Sequence, residues 1–334
     1  MATHLDSVVR TQLVSRKQRL ESTIALSPTR KHLADLLHEV DAALIRLDDG
    51  TYGLCEGCHE PLETDRLAAD PLVRLCTSCL TPRQQQALVE DLELASRIQA
   101  GLLPRNDIVH NGWRAAYQYK PAGPVSGDYC DLVTGEDGNL YFMLGDVSGK
   151  GIPASMLMAH LHAMFRALIG VGLPLIQMVG RASRVFCEST LASHYATLIC
   201  GRAGKDGEVE ICNAGHLPVL LMRGAEVSSL EATGLPLGMF CSTEFTADRM
   251  LLDDRDRLVL FTDGISEAQD SRGVELGIEG LIQAVKVKPA ASAPDTVLAV
   301  SKRAEAFRGG EPGGDDQTVM VIERIGLPRQ EVLH

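Results

Sequence analysis

Four cysteines constrain this chain more than any other feature. Cys55, Cys58, Cys76 and Cys79 stand in a C-x2-C-x17-C-x2-C pattern, in which each close pair clips a metal from a tight turn and the long insert folds back to complete a tetrahedron. Four thiolates close the coordination shell, so the spacing predicts one structural Zn2+ with no open position for chemistry. His59, beside Cys58, is read as a surface residue.

The knuckle accounts for residues 49–82 only, and a chain of 334 residues is expected to hold about two domains. The five other cysteines are scattered, which argues against a disulfide framework in a chain long enough to build its own core. A net charge of −12 gives no whole-chain field toward nucleic acid or an anionic membrane. The most apolar stretch, residues 154–176, carries His160, His162, Arg166 and two glycines before Pro174, so it reads as a buried helix followed by a break. The two histidines are expected to pack. Residues 1–10 lack the pattern of a secretory signal, and a cytoplasmic location is expected.

Residues 1–48 read as a helical hairpin. Leu5, Val8, Val9, Leu13 and Leu20 recur at helical spacing, Ser27-Pro28 break and restart the chain, and Leu33, Leu36, Leu37, Val40, Leu44 and Leu47 follow up to Asp48-Asp49-Gly50. After Pro82, Leu88, Leu92, Ala95, Ile98 and Leu102 make a linking helix over 83–104 that stops at Pro104. Its apolar stripe suits pairing with a second copy, so a homodimer is expected. Residues 105–334 read as an α+β domain: eight short strand signals begin near Ala115, Leu140, Tyr195, Val209, Val219, Met250, Leu258 and Val319. Helical segments separate them, at 153–168, 175–191, 281–287 and 296–307.

Acidic residues recur at the ends of these strands: Ser126-Gly127-Asp128-Tyr129-Cys130-Asp131, Gly145-Asp146-Val147-Ser148-Gly149-Lys150, Phe261-Thr262-Asp263-Gly264 and Gly314-Asp315-Asp316-Gln317-Thr318. Each alone is an ordinary turn. Together they form a set of carboxylates that would repel one another unless cations neutralise them, and hard oxygen ligands favour Mg2+ or Mn2+. Two such ions can hold a water in line with a phosphorus atom. Other phosphate chemistries lack their residues: no cysteine is followed six positions later by arginine, no Asp-x-Asp begins a matching strand, and there is no Gly-x-x-x-x-Gly-Lys-Ser/Thr loop.

Two resemblances follow from these motifs. Asp49-Gly50-Thr51-Tyr52-Gly53-Leu54-Cys55, with Arg66-Leu67, Ala69 and Pro71 in the insert, resembles the DksA/TraR-type zinc finger. That family inserts an acid-tipped hairpin into RNA polymerase, which implies polymerase as a partner. Here the tip is Ser27-Pro28-Thr29-Arg30, without a carboxylate, and each arm is ~30 Å long. The departures point to a sensory or dimerising module. The aspartate motifs, with Ile98-Gln99, Leu102-Leu103-Pro104, Asn213-Ala214-Gly215-His216-Leu217-Pro218 and Gly234-Leu235-Pro236-Leu237-Gly238, resemble the phosphatase 2C-like superfamily, in its bacterial branch of stage II sporulation protein E type.

The second resemblance implies a β-sandwich flanked by helices and a metal-dependent protein serine/threonine phosphatase. By motif, Asp146 bridges two Mn2+ or Mg2+ ions, Val147 through its carbonyl and Asp128 complete one site, and Asp263 with Asp315 complete the other. Asp131, Asp316, Lys150 and His216 are candidates for supporting roles around these ligands. Ser126 replaces the usual glycine, and Lys150 stands where histidine is frequent. The implied substrate is a phosphorylated regulatory protein, such as an anti-sigma-factor antagonist, with the zinc module as regulator. Two other classes fit the residues: a transcription regulator that binds polymerase through the finger, and a pseudophosphatase scaffold without metal at the aspartates.

Overall fold

Apolar periodicity accounts for the first elements of the chain. The structure is a computed structural model that describes residues 2–26, 31–190, 194–310 and 313–326. Two compact units divide the chain, residues 1–92 and 93–334. In the first, α1 (Ala2–Leu26) and α2 (Lys31–Asp48) bury Leu13, Val40 and Ala43 against one another, with Leu20, Leu36, Leu44 and Leu47 around them. Ion pairs Arg10–Asp48 (2.6 Å) and Lys17–Asp41 (2.7 Å) fix the direction: the partner number falls as the α1 number rises, so the helices are antiparallel. These exposed pairs contribute little to stability, and the apolar seam holds the hairpin. The expected tip, Ser27 to Arg30, lies outside the described residues.

A short helix, α3 (Thr64–Ala69), and a single 3-10 turn, Thr77–Cys79, lie within the cysteine insert and at its end. The next helix, α4 (Pro82–Leu102), starts with a capping box. The backbone N–H of Thr81 donates to the Gln84 amide oxygen at 3.0 Å and the Thr81 hydroxyl accepts from the Gln84 backbone at 3.4 Å. Proline at the first helical position costs nothing there, because its missing N–H has no intrahelical partner.

The second unit is built on two antiparallel sheets. Its strands are β1 (Asp107–His110), β2 (Trp113–Lys120), β3 (Asp128–Thr134), β4 (Leu140–Val147), β5 (Ala196–Ala203) and β6 (Glu208–Ala214), then β7 (Val219–Arg223), β8 (Glu226–Leu230), β9 (Asp248–Leu251), β10 (Arg257–Phe261) and β11 (Gln317–Arg324). One sheet runs β1-β2-β11-β10-β7-β8 and the other β3-β4-β5-β6-β9. Helices α5 (Gly151–Val171) and α6 (Leu175–Ser189) cover one outer face; α8 (Gly277–Lys286) and α9 (Ala293–Arg308) cover the other, and α7 (Asp263–Ser266) follows β10. The result is the expected α+β sandwich flanked by helices.

Period-2 alternation sorts the side chains into three cores. Cys130, Leu132, Phe142 and Leu144 meet Leu258, Leu260, Met320 and Ile322 between the sheets. Tyr129, Tyr141 and Met143 turn the other way, onto Met158, Phe165 and Phe186 of the helices. Helix α5 is long and apolar enough to cross a membrane, but Ala154, Met158, Leu161, Phe165 and Ile169 are buried in that core.

Three strands and two helices escape the sequence reading, one of the helices being α3 in the cysteine insert. β1 and β8 are sheet edges with partly exposed patterns, α7 has four residues, and β3 interrupts its apolar run with Asp128 and Asp131. The scattered cysteines build no framework, but one pair does bond: Cys187 and Cys241 form a disulfide, with Cα atoms 5.5 Å apart and a sequence separation of 54. A single bond of that separation leaves no spacing pattern to read.

Gly201 on β5 lies opposite Phe142 on β4, and a Cβ there would run into the aromatic ring. Gly201→Ala is expected to destabilise the second unit by about 1–3 kcal/mol through overpacking. Urea unfolding should show the lowered midpoint, and adding Phe142→Leu should recover part of it.

Candidate metal centres

The cysteine knuckle brings its four sulfurs within 4.8 Å of one another, the one such set of metal-ligating groups among the described residues. The Gly57 and Cys76 backbone N–H groups donate to Cys55 Sγ at 3.3 and 3.2 Å. Gly57 leaves room for the second pair: a Cβ there would stand 3.1 Å from Cys79 Sγ. The Cys76 N–H helps pull the Cys55 thiol down to about 6, while hydrogen bonds from Cys76 and the other thiols push Cys79 up to about 12. Four thiolates this close need a cation, and an all-sulfur tetrahedral set fits Zn2+. His59 is exposed and stands outside the set.

The second centre forms where the strand ends of the two sheets meet. Asp128 and Asp146 are direct partners in the β3–β4 register and share the side of the sheet that carries Cys130, Phe142 and Leu144. Asp128 is buried, and its Oδ2 accepts hydrogen bonds from Thr318 Oγ1 at 2.5 Å and Thr262 Oγ1 at 3.0 Å. Those threonines end the interior rows of β10 and β11, so one carboxylate ties the two sheets together. Burial, together with the charges of Asp146 and Asp316, drives the Asp128 carboxyl well above the usual range.

Asp146 is pushed to about 7 by burial and by Asp263, Asp315 and Asp316, and Asp263 is raised by burial and by Asp315. This mutual repulsion shows that the expected carboxylates share one region, and it fits a hard divalent cation. Two glycines permit the approach. A Cβ on Gly264 would run into the Asp316 carbonyl, and one on Gly127 would lie 3.1 Å from the Val147 carbonyl and 3.5 Å from Asp146 Oδ1.

The loop before β3 is held from two sides. Asp316 accepts from the N–H of Ala122 at 2.7 Å and of Gly127 at 2.9 Å. Gln99 of α4, itself buried, donates to the Ser126 carbonyl at 2.7 Å and accepts from its N–H at 2.9 Å. Ser126, in place of glycine, uses its hydroxyl to accept from the Asp128 N–H at 3.1 Å. Gln99, Thr262 and Thr318 lie inside the sequence motifs with no task legible there; a threonine at each strand end was the available signal, and Gln99 left none in a helix already rich in polar residues.

The remaining candidates separate clearly. Lys150 Nζ lies 2.9 Å from Asp315 Oδ2 and 3.2 Å from the Gly314 carbonyl, so it faces the cluster. His216 is buried, its Nε2 3.1 Å from the Phe261 carbonyl and its Nδ1 2.7 Å from Thr197 Oγ1. A carbonyl only accepts, so the proton is on Nε2 and both ring nitrogens are committed. Asp131 is not in the centre. Three residues along β3 from Asp128, it faces the helix layer and takes both Arg166 donors at 2.7 and 2.6 Å. His162 lies 3.6 Å from Asp131, and His160 stacks on Phe186, so both histidines pack as expected.

Residues 136–325 match the family described as stage II sporulation protein E, and that segment is more than half of the chain. The chain belongs to that family. The match contains Asp146, Asp263 and Asp315, while Asp128 lies just before it. Residues 50–85 of this family member match the prokaryotic dksA/traR C4-type zinc finger. Phosphoserine phosphatase RsbU of Bacillus subtilis is 28% identical over 196 residues, covering 57% of this chain and 57% of the relative. The crystal structure of the RsbU and RsbW domains of a Mycobacterium tuberculosis protein aligns with a TM-score of 0.58 at 25% identity, over 68% of this chain and 64% of that one. The SiaA-PP2C domain of Pseudomonas aeruginosa shares the fold, with a TM-score of 0.63 at 18% identity, over 73% of this chain and 99% of that one. The chain spans 35 to 57% of the length of the first curated relatives it matches.

Burial lowers the His216 pKa to about 4, so the folded protein stays unprotonated there while the unfolded chain takes up a proton below about 6.5. This group alone therefore withdraws on the order of 3 kcal/mol of stability as pH falls from 6.5 toward 4, with no effect above pH 7, while the raised carboxyl of Asp146 contributes in the opposite sense over the same window. The stability of wild type relative to His216→Gln, read by urea unfolding, should therefore fall by that amount across the window.

Proposed function

We propose that this chain is a metal-dependent protein serine/threonine phosphatase acting on a phosphorylated regulatory protein. The observation that carries the reading is the gathering of Asp146, Asp263 and Asp315 beside Asp128, with backbone carbonyls and N–H groups arranged around them. Two relatives are named phosphoserine phosphatases, RsbU and RsbP of Bacillus subtilis, which supports it.

In this reading Asp146, Asp128 and the Val147 carbonyl would hold one Mn2+ or Mg2+ ion, and Asp146, Asp263 and Asp315 a second. Ions bound there supply charge neutralisation and an activated water for attack on phosphorus. The protein's own part is positional. Thr262 and Thr318 both bind Oδ2 of Asp128, which leaves Oδ1 for a ligand role. Lys150 orients Asp315, and Asp316 with Gln99 holds the loop that delivers Asp128. The neutral, fully engaged His216 braces the Phe261 carbonyl and leaves proton transfer to others.

The substrate in this reading is an anti-sigma-factor antagonist of a partner-switching pathway in the cytoplasm, and the zinc knuckle with its hairpin regulates the enzyme. Helix α4 carries the signal as the seam of a homodimer. Ile98, on its predicted stripe, is 61% exposed, which suits pairing with a second copy.

Purified protein is expected to hydrolyse p-nitrophenyl phosphate with Mn2+ or Mg2+, to stop with chelator, and to lose at least 100-fold in rate with Asp146→Asn. Wild-type protein that carries no metal at the aspartates and shows no turnover would instead be a scaffold. For the dimer, Leu92→Glu should yield monomers by light scattering together with altered activity; unchanged mass and rate would remove the pairing model of regulation.

A further inference from the structure

Helix α9 ends at Arg308, where Gly309 caps it in the left-handed conformation at φ 65°. Arg308 is only 7% exposed, yet its Nε and Nη1 are buried without a hydrogen-bond partner. Leaving donors of a charged group unmade inside a protein is costly. Such a group is expected to have a use for them.

Arg308 lines a cavity of about 420 Å3 with Gly264, Glu267, Asp270, Asp315 and Gln317. Gly264 and Asp315 belong to the aspartate centre, so the cavity adjoins it. At the facing turn, a Cβ on Gly313 would lie 3.0 Å from Arg308 Nη1 and 2.7 Å from Gln317 Nε2. The glycine keeps a space clear in front of two donors. Of the wall carboxylates, Asp270 pairs with Arg272 at 2.8 Å and Asp315 with Lys150 at 2.9 Å, while Glu267 is solvent-exposed.

We propose that Arg308, with Gln317, forms an oxyanion subsite that takes the carboxylate of an aspartate or glutamate flanking the phosphoserine of the substrate. A guanidinium presents paired N–H groups that match a carboxylate or a phosphate, and turning toward an anion in the cavity gives the buried Nε and Nη1 the partner they lack. The inference rests on the phosphatase reading and deepens it: the enzyme selects substrates whose phosphorylated residue lies beside an acidic one. The scissile phosphate has the same chemistry, so the test separates the two sources.

The full-length protein with Mn2+ is assayed on three substrates: a phosphoserine peptide with flanking aspartates, the same peptide with asparagines, and p-nitrophenyl phosphate. Wild type is expected to favour the acidic peptide at least tenfold in kcat/KM. Arg308→Gln should bring that ratio within twofold of unity, and Arg308→Lys should retain part of it. The ratio is internal to each preparation, so a smaller folded fraction in a variant cancels. A KM increase shared by all three substrates supports the subsite and names the phosphate as its occupant. Turnover with no acidic preference in wild type, and no change of KM in Arg308→Gln, overturns the subsite alone. No turnover by wild type on any substrate overturns the phosphatase reading, and this inference with it.

Discussion

The buried carboxylate of Asp128 is the point on which the second unit depends. It starts β3 in one sheet and accepts hydroxyl hydrogen bonds from Thr262 and Thr318, which belong to the strand ends of the other. An unsatisfied carboxylate at that depth would be severely destabilising, whereas one held by two donors is tolerable and fixes the sheets in register at their ends. The same geometry sets the distance between the loop at Gly127 and the turn at Asp315 and Asp316. Packing between the sheets therefore positions the aspartate centre directly, without any long linker.

The constraints around this point are arranged in a hierarchy. Apolar layers between Phe142, Leu144, Leu258 and Met320 supply most of the stabilisation. Hydrogen bonds from Gln99 and Asp316 then fix the backbone that precedes Asp128. Only after these are in place can several carboxylates be held close together, because their repulsion opposes folding until a cation arrives. The knuckle of the first unit follows the same logic with thiolates, where the sulfurs are close and the apolar support, Leu62 and Leu67 among it, is small.

Much of this was legible in the sequence because it was written in period and spacing. The hairpin seam of Leu13, Val40 and Leu44, the four-cysteine knuckle and the strands around Leu140 and Leu258 all follow from repeating patterns. The ligand candidates Asp128, Asp146, Asp263 and Asp315 were visible as acidic turns at strand ends. What escaped depends on partners distant in sequence. Asp131 looks equivalent to Asp128 until strand parity turns it onto Arg166. Thr262, Thr318 and Gln99 gain their roles from residues between 27 and 190 positions away, and the Cys187–Cys241 bond spans 54. Arg308 was invisible for the opposite reason, since what marks it is the absence of a partner.

The position of β11 in its sheet has a consequence for biosynthesis. This strand, Gln317–Arg324, pairs with β2 on one side and β10 on the other, and it brings Asp315, Asp316 and Thr318 to the centre. A ribosome must therefore release almost 200 residues after β2 before the sheet can close around the aspartates, and such long-range pairing is slow. Every shorter nascent chain lacks part of the clamp on Asp128. The order of translation thus keeps an incomplete polypeptide from assembling the aspartate centre.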